Sequence, residues 1–163
     1  MKVFRDIISQ DELASDAFDI TEVNDGVFSA RAAYMRVSPG VDLGGDSSQG
    51  EADDKANQIT VINIVDSFRL VETEFTRETY TTYIKGYLKK IKAVLGEANP
   101  DRVGGFEPEA AVLVKRVLAD FDNYTFYTGE SMDPEGMAVP VKTSSGGDLD
   151  FYFFRDGLLA EKV

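Results

Sequence analysis

The sequence predicts an α+β domain built on a largely antiparallel sheet. Three observations carry this: β-branched and aromatic strands fill both ends of the chain, two helical patterns sit together in the middle, and strands and helices do not alternate. The 163 residues are the length of one domain. At 43% hydrophobic content they suffice for one core, and a domain of this size buries roughly 70% of its unfolded surface. No repeat is visible at a 20–50 residue period.

Residues 2–7 alternate loosely and read as a strand. Ser9-Gln10-Asp11-Glu12 has the form of a helix cap and first turn, so residues 9–16 read as a short helical turn or loop with Glu12 as a first-turn acid. Residues 17–23 and 27–37 read as a hairpin, with Asn24-Asp25-Gly26 supplying positive φ angles at the turn. Residues 38–58 hold four glycines, many carboxylates and few apolar side chains, a composition that cannot offset its backbone entropy. A mobile loop is predicted there. The 37 residues before it are too few to fold alone, so the loop is an insertion in a single domain over 1–163. Closing a loop of this length rather than one of five residues costs only about 1.2 kcal/mol more.

Residues 59–66 are β-branched and alternating, a strand, and 68–75 read as a second. Thr76 is placed to cap a helix over 77–95. Its apolar stripe is Tyr80, Tyr83, Ile84, Tyr87, Leu88, Ile91, Val94 and Leu95, with Gly96 and Asn99-Pro100 as the stop. Pro108 suits the first turn of a second helix over 108–121, apolar at Val112, Leu113, Val114, Val117 and Leu118. The short connector predicts an antiparallel helical hairpin. Residues 124–128, 137–142, 149–155 and a short terminal segment after Asp156-Gly157 read as strands.

Composition excludes several chemistries. With no cysteine and no histidine there is no disulfide, thiol nucleophile, imidazole base, or thiolate or imidazole zinc site. A carboxylate-only calcium or magnesium site stays open. The net charge of −12 disfavours nucleic acid, favours basic surfaces and cations, and also serves solubility. No apolar run approaches the roughly 20 residues of a membrane span, and the N-terminus lacks an apolar signal core, so a cytoplasmic location is expected. Phosphate-binding glycine motifs are missing; the Gly-Gly pairs read as turns. The aromatic runs at 124–127 and 151–154 have no basic neighbours and read as core.

Two surface features remain. Lys85, Lys89 and Lys92 lie at i, i+4 and i+7 with Lys90 nearby, and no acid falls between Glu78 and Glu97. Like charges at this spacing cost about 0.2–0.5 kcal/mol per pair, which the apolar stripe outweighs. The face reads either as solvated lysines paired with acids elsewhere or as a docking patch for an acidic partner. The loop acids Asp42, Asp46, Glu51, Asp53 and Asp54 lack the spacing of a tight calcium loop, so any calcium affinity is weak.

Five ordered segments resemble the translationally controlled tumour protein family. They are the opening Phe4-Arg5-Asp6-Ile7-Ile8-Ser9-Gln10-Asp11-Glu12; Val71-Glu72-Thr73-Glu74-Phe75-Thr76; the basic helix Tyr83-Ile84-Lys85-Gly86-Tyr87-Leu88-Lys89-Lys90-Ile91-Lys92; the run from Phe121 to Met137 that contains Tyr124-Thr125-Phe126-Tyr127-Thr128-Gly129-Glu130; and Phe153-Phe154-Arg155-Asp156-Gly157-Leu158 near the end. The loop departs from the family's Gly-Gly-Asn pattern, reading Gly44-Gly45-Asp46. The resemblance implies a tent-like sheet with a projecting helical hairpin, a fold shared with Rab-binding accessory proteins and a class of methionine sulfoxide reductases. The reductases need a cysteine or selenocysteine, which this chain lacks. The resemblance further implies a non-enzymatic cytoplasmic protein, partly on the cytoskeleton, tied to microtubules through tubulin, to the translation elongation factors or ribosome, and to growth control, with weak calcium binding. Glu12 and Glu130 match glutamates implicated in contact with a Ras-type GTPase, so regulation of nucleotide exchange is an alternative role. Both also suit plain capping or surface positions. A chaperone-like role is a third reading. No cofactor and a monomeric state are expected.

Overall fold

Backbone pairing decides the strands. In the computed structural model, which describes residues 1–38 and 58–163, every paired strand is antiparallel. The strands are β1 (Lys2–Asp6), β2 (Glu12–Ser15), β3 (Asp19–Asn24), β4 (Val27–Ala32), β5 (Tyr34–Val37), β6 (Ile59–Ile62), β7 (Val71–Thr73), β8 (Tyr124–Thr128), β9 (Val139–Thr143), β10 (Leu149–Phe154) and β11 (Leu158–Lys162). They form a six-stranded sheet in the order β3-β4-β10-β9-β8-β7, a three-stranded sheet β11-β1-β2, and the ribbon β5-β6. The helices are α1 (Asn63–Phe68), α2 (Arg77–Ala98) and α3 (Val103–Ala119). The α+β class and the helical hairpin are as the sequence predicts. All but the two end residues of the expected mobile loop, and all five of its acids, lie outside the described residues.

Four local expectations are corrected. Glu12 begins strand β2, facing Arg5 of β1, and is not a helix first-turn acid. The cap-like Ser9 instead turns the chain back, its hydroxyl accepting from Asp11 N–H at 3.2 Å. The strand read over 59–66 stops at Ile62, where Asn63 Oδ1 accepts from the N–H groups of Ala33 (3.0 Å) and Ile64 (2.8 Å) and turns the chain into α1. Helix α3 begins five residues before Pro108, continuing a 3-10 turn at Pro100–Arg102, so the proline lies inside it. The Asn24-Asp25-Gly26 turn uses no positive φ. Asn24 Oδ1 accepts from Gly26 N–H at 2.8 Å, and glycine is required because a Cβ would stand 2.7 Å from Arg102 Nη2.

Helix α2 starts where the sequence places it. Thr76 Oγ1 accepts from Thr79 N–H (3.0 Å) while Thr79 Oγ1 accepts from Thr76 N–H (2.8 Å), satisfying two orphan donors of the first turn. Tyr80, Ile84, Tyr87, Ile91 and Leu95 are buried, at i, i+4, i+7, i+11 and i+15; Val94 faces outward. The buried row packs on the six-stranded sheet, with Tyr80 on Phe126 (ring centroids 4.9 Å) and Tyr87 on Phe154 (5.9 Å). Phe106, Ala110, Leu113 and Val117 of α3 complete that core, while Val112 is exposed. Arg102 fastens the hairpin to the strands. It donates from Nε and Nη2 to both carboxylate oxygens of Asp156, at 2.9 Å each, and also pairs with Glu109.

Candidate functional site

Two surfaces collect the residues singled out in the sequence. The first is a polar cleft of about 460 Å³ between the β1–β2 turn, the end of α1 and the end of β8. Glu12 and Glu130, 118 positions apart, both line it. Each is held by an arginine at 3.2 Å: Glu12 by Arg5, Glu130 by Arg69. Arg5 also donates from Nε to Glu161 (2.7 Å) and from Nη1 to the Gln10 carbonyl (2.7 Å), and the Glu161 hydrogen bond holds its guanidinium above the ordinary arginine value.

The two walls are joined by Asp11. Its Oδ2 accepts from Ser131 Oγ–H (2.6 Å) and Ser131 N–H (3.2 Å), across 120 positions. Gly129 makes this approach possible, since a Cβ there would stand 2.4 Å from the Asp11 side chain. Gln10 (φ 69°) and Arg69 (φ 56°), both lining the cleft, are two of the three non-glycine residues in the left-handed region among those described. Such backbone costs of the order of 1 kcal/mol each and gathers where surrounding structure fixes it. The arrangement offers fixed carboxylates and guanidinium groups to a partner's polar surface. Sequence reasoning singled out Glu12 and Glu130 but not Arg5, Asp11, Arg69, Gly129 or Ser131; several flank the two glutamates, but nothing local says that the segments meet.

The second surface is the outward side of α2. Lys85, Lys89 and Lys92 are exposed and Lys90 is half-buried. The structure divides the four. Lys90 pairs with Glu135 and Lys92 with Glu107 of α3, whereas Lys85 and Lys89 have no carboxylate partner among the described residues. Lys89 stands beside a groove of about 360 Å³ between the two helices, with Leu88 and Phe106 as its apolar lining.

Among the described residues, no group of three or more carboxylates is placed to hold a metal ion, and no helix is long and apolar enough to cross a membrane.

The sequence profile described as translationally controlled tumour protein matches residues 1–159. The chain belongs to the translationally controlled tumour protein family. It is similar to the translationally-controlled tumor protein homologs of Schizosaccharomyces pombe, 46% identical with 99% of each chain covered, and of Mycosarcoma maydis, 45% identical with 100% of each covered. Its fold is similar to the solved S. pombe family member p23fyp, with a TM-score of 0.82 at 42% identity and full coverage of both chains. The NMR structure of the Caenorhabditis elegans protein, at 24% identity and a TM-score of 0.72, shares the fold.

Proposed function

We propose that this family member is a non-enzymatic, cytoplasmic binding protein serving microtubule stabilisation and protein synthesis, and that it docks acidic partner segments, tubulin tails among them, on Lys85 and Lys89. The observation that carries this reading is that those two lysines have no carboxylate partner among the described residues, in a chain of net charge −12. They stand one helical turn apart and offer two point charges, and Lys89 borders a groove where Leu88 and Phe106 give a partner's apolar side chain a place to rest. Microtubule co-sedimentation at low and physiological salt tests it. K85E/K89E should lose pelleting and wild type should weaken with salt, as screening requires. Equal pelleting of the variant at low salt sinks the proposal. Substituting Lys90 or Lys92 is a poorer test because it breaks an internal ion pair.

A second reading, regulation of a small Ras- or Rab-type GTPase, is favoured by the meeting of Glu12 and Glu130 in one cleft. It needs no catalytic side chain, only a surface that reshapes the nucleotide site of the partner. Substoichiometric protein should speed nucleotide release, and Glu12→Val should weaken binding in a titration without unfolding the protein. Unchanged affinity ends this reading.

A further inference from the structure

A third concavity, separate from both surfaces above, lies at the outer edge of the six-stranded sheet. Among the described residues, strand β7 is the last in that sheet and pairs with β8 on one side only. Beside it is a groove of about 310 Å³ whose apolar wall comes from Val71, Phe75, Tyr83, Met132 and Pro134. The Phe75 and Tyr83 rings stand 5.3 Å apart at 39°. The wall is fixed rather than adaptable where Tyr83 enters it. Its hydroxyl donates to the Gly136 carbonyl (2.6 Å) and accepts from Ala138 N–H (2.8 Å), tying the helix to the 129–138 loop. At the mouth Met132 is 60% exposed on left-handed backbone at φ 59°, an apolar side chain held out by the fold.

Charge sets this groove apart from the Glu12–Glu130 cleft. Glu72 and Asp133 line it, no lysine or arginine does, and neither carboxylate has an ion-pair partner among the described residues. Asp133 uses Oδ1 to accept from Glu135 N–H (2.9 Å), leaving Oδ2 without a role in the turn. The next loop carboxylate, Glu135, is already paired with Lys90. Aromatic faces, a methionine and the uncompensated Asp133 carboxylate are the surroundings a cation on a long apolar stem requires. The groove is at the low end of the size range for ligand sites and is large enough for one side chain.

We infer that this groove binds an arginine side chain of a partner protein, presented on an extended segment lying along the free edge of β7. Arginine fits better than lysine. Its planar, weakly hydrated guanidinium can lie against the Phe75 and Tyr83 rings while its N–H groups reach the Asp133 carboxylate. An ammonium would shed a tighter hydration shell for the same charge. The extended segment follows from the open main-chain edge of β7, whose outward groups can pair with a strand.

The test is an NMR titration of the full chain with a capped pentapeptide, Gly-Val-Arg-Val-Gly, beside versions carrying citrulline or lysine in place of arginine. The arginine peptide should cause saturable shifts at the amides of Val71, Thr73, Met132 and Gly136. Citrulline, which keeps the shape and loses the charge, should bind at least about tenfold more weakly, and lysine should fall between. D133N should weaken the arginine peptide by about tenfold, with the rest of the spectrum unmoved; asparagine keeps the oxygen that caps the turn. Non-saturating shifts, equal binding of the citrulline peptide, lysine binding as well as arginine, or perturbation centred on Glu12 and Glu130 would each overturn the assignment.

Discussion

The two sides of helix α2 differ in what their residues touch. Inward, Tyr80, Ile84, Tyr87, Ile91 and Leu95 are buried against the sheet and α3. Outward, Lys85 and Lys89 stand one turn apart in solvent with no carboxylate partner among the described residues. The inner row gains free energy from leaving water, whereas the outer pair costs a few tenths of a kcal/mol of helix stability. In the docking role proposed above, that cost keeps charge available to a partner. Folding and recognition should therefore respond to different substitutions and different conditions.

Alkaline pH gives the largest effect and acts on the inner side. Burial raises the phenol pKa of Tyr80, Tyr83 and Tyr87, with neighbouring Tyr83 and Asp6 adding to the rise at Tyr87. In the unfolded chain these phenols ionise near pH 10, about their ordinary value. The native state then holds protons that the unfolded state has lost. Stability contributed by this difference is fully present well below pH 10 and is lost above it, at a rate that approaches roughly 1.4 kcal/mol per pH unit for each phenol, which amounts to about 4 kcal/mol in total between pH 9 and 11 for all three. Urea unfolding between pH 9 and 11 reads this slope. Replacing Tyr80 and Tyr87 by Phe should remove the share of those two phenols and leave that of Tyr83 and of Tyr124 and Tyr127, whose phenols burial also raises.

Truncation of the same row comes next. Ile91→Ala, at a fully buried position, should cost about 2–5 kcal/mol in urea denaturation. Arg102→Ala should cost about 2 kcal/mol, because Asp156, 9% exposed, is left without the guanidinium that binds both its oxygens. The two differ in kind: Ile91→Ala opens a cavity, whereas Arg102→Ala leaves a carboxylate without the donors that satisfy both its oxygens.

A finer contrast lies among the tyrosines. The Tyr83 hydroxyl bridges Gly136 and Ala138, but the hydroxyls of Tyr80 and Tyr87 have no hydrogen-bond partner among the described residues. Tyr83→Phe should cost about 1–3 kcal/mol, since it strands a carbonyl and an N–H that are shielded from water. Tyr87→Phe strands nothing and should leave stability within about 0.5 kcal/mol or raise it. A matching loss in both variants would show that the Tyr87 hydroxyl has a partner after all.

The same contrast explains how much of the molecule was legible in its sequence. Helix α2 was readable because its signals are local: a Thr76–Thr79 cap and a row recurring every three or four residues. Strand β2 was not, because Glu12 becomes a strand residue only through pairing with Arg5 on β1. Ile64 and Val65 are β-branched yet helical, as Asn63 binds Ala33, 30 positions away. Pro108 was read as a helix start by a sound local rule, but Arg102, clamped on Asp156, places the turn from which α3 begins further upstream. The polar cleft follows the same pattern. Family resemblance points to Glu12 and Glu130, while Asp11, which latches their two segments together through Ser131, lies in the same opening segment with nothing local to mark it as the latch.

The smallest expected change in stability falls on the outer side of α2 and is the most informative for function. In K85Q/K89Q neither substitution removes an ion pair seen among the described residues, and glutamine and lysine have nearly equal helix propensity. Relief of repulsion across one turn should raise stability by about 0.2–0.5 kcal/mol. Lys92→Gln should instead lose a pair with Glu107, half-exposed on both sides and worth about 0–1 kcal/mol. If Lys85 and Lys89 are retained for docking, the first variant should be as stable as wild type or slightly more so and yet bind microtubules poorly, with Lys92→Gln showing the reverse. A protein that becomes firmer as it loses its partner is the signature of charge kept for recognition. A K85Q/K89Q variant that unfolds earlier than wild type would place those lysines among the folding contacts and erase the division between the two sides of the helix.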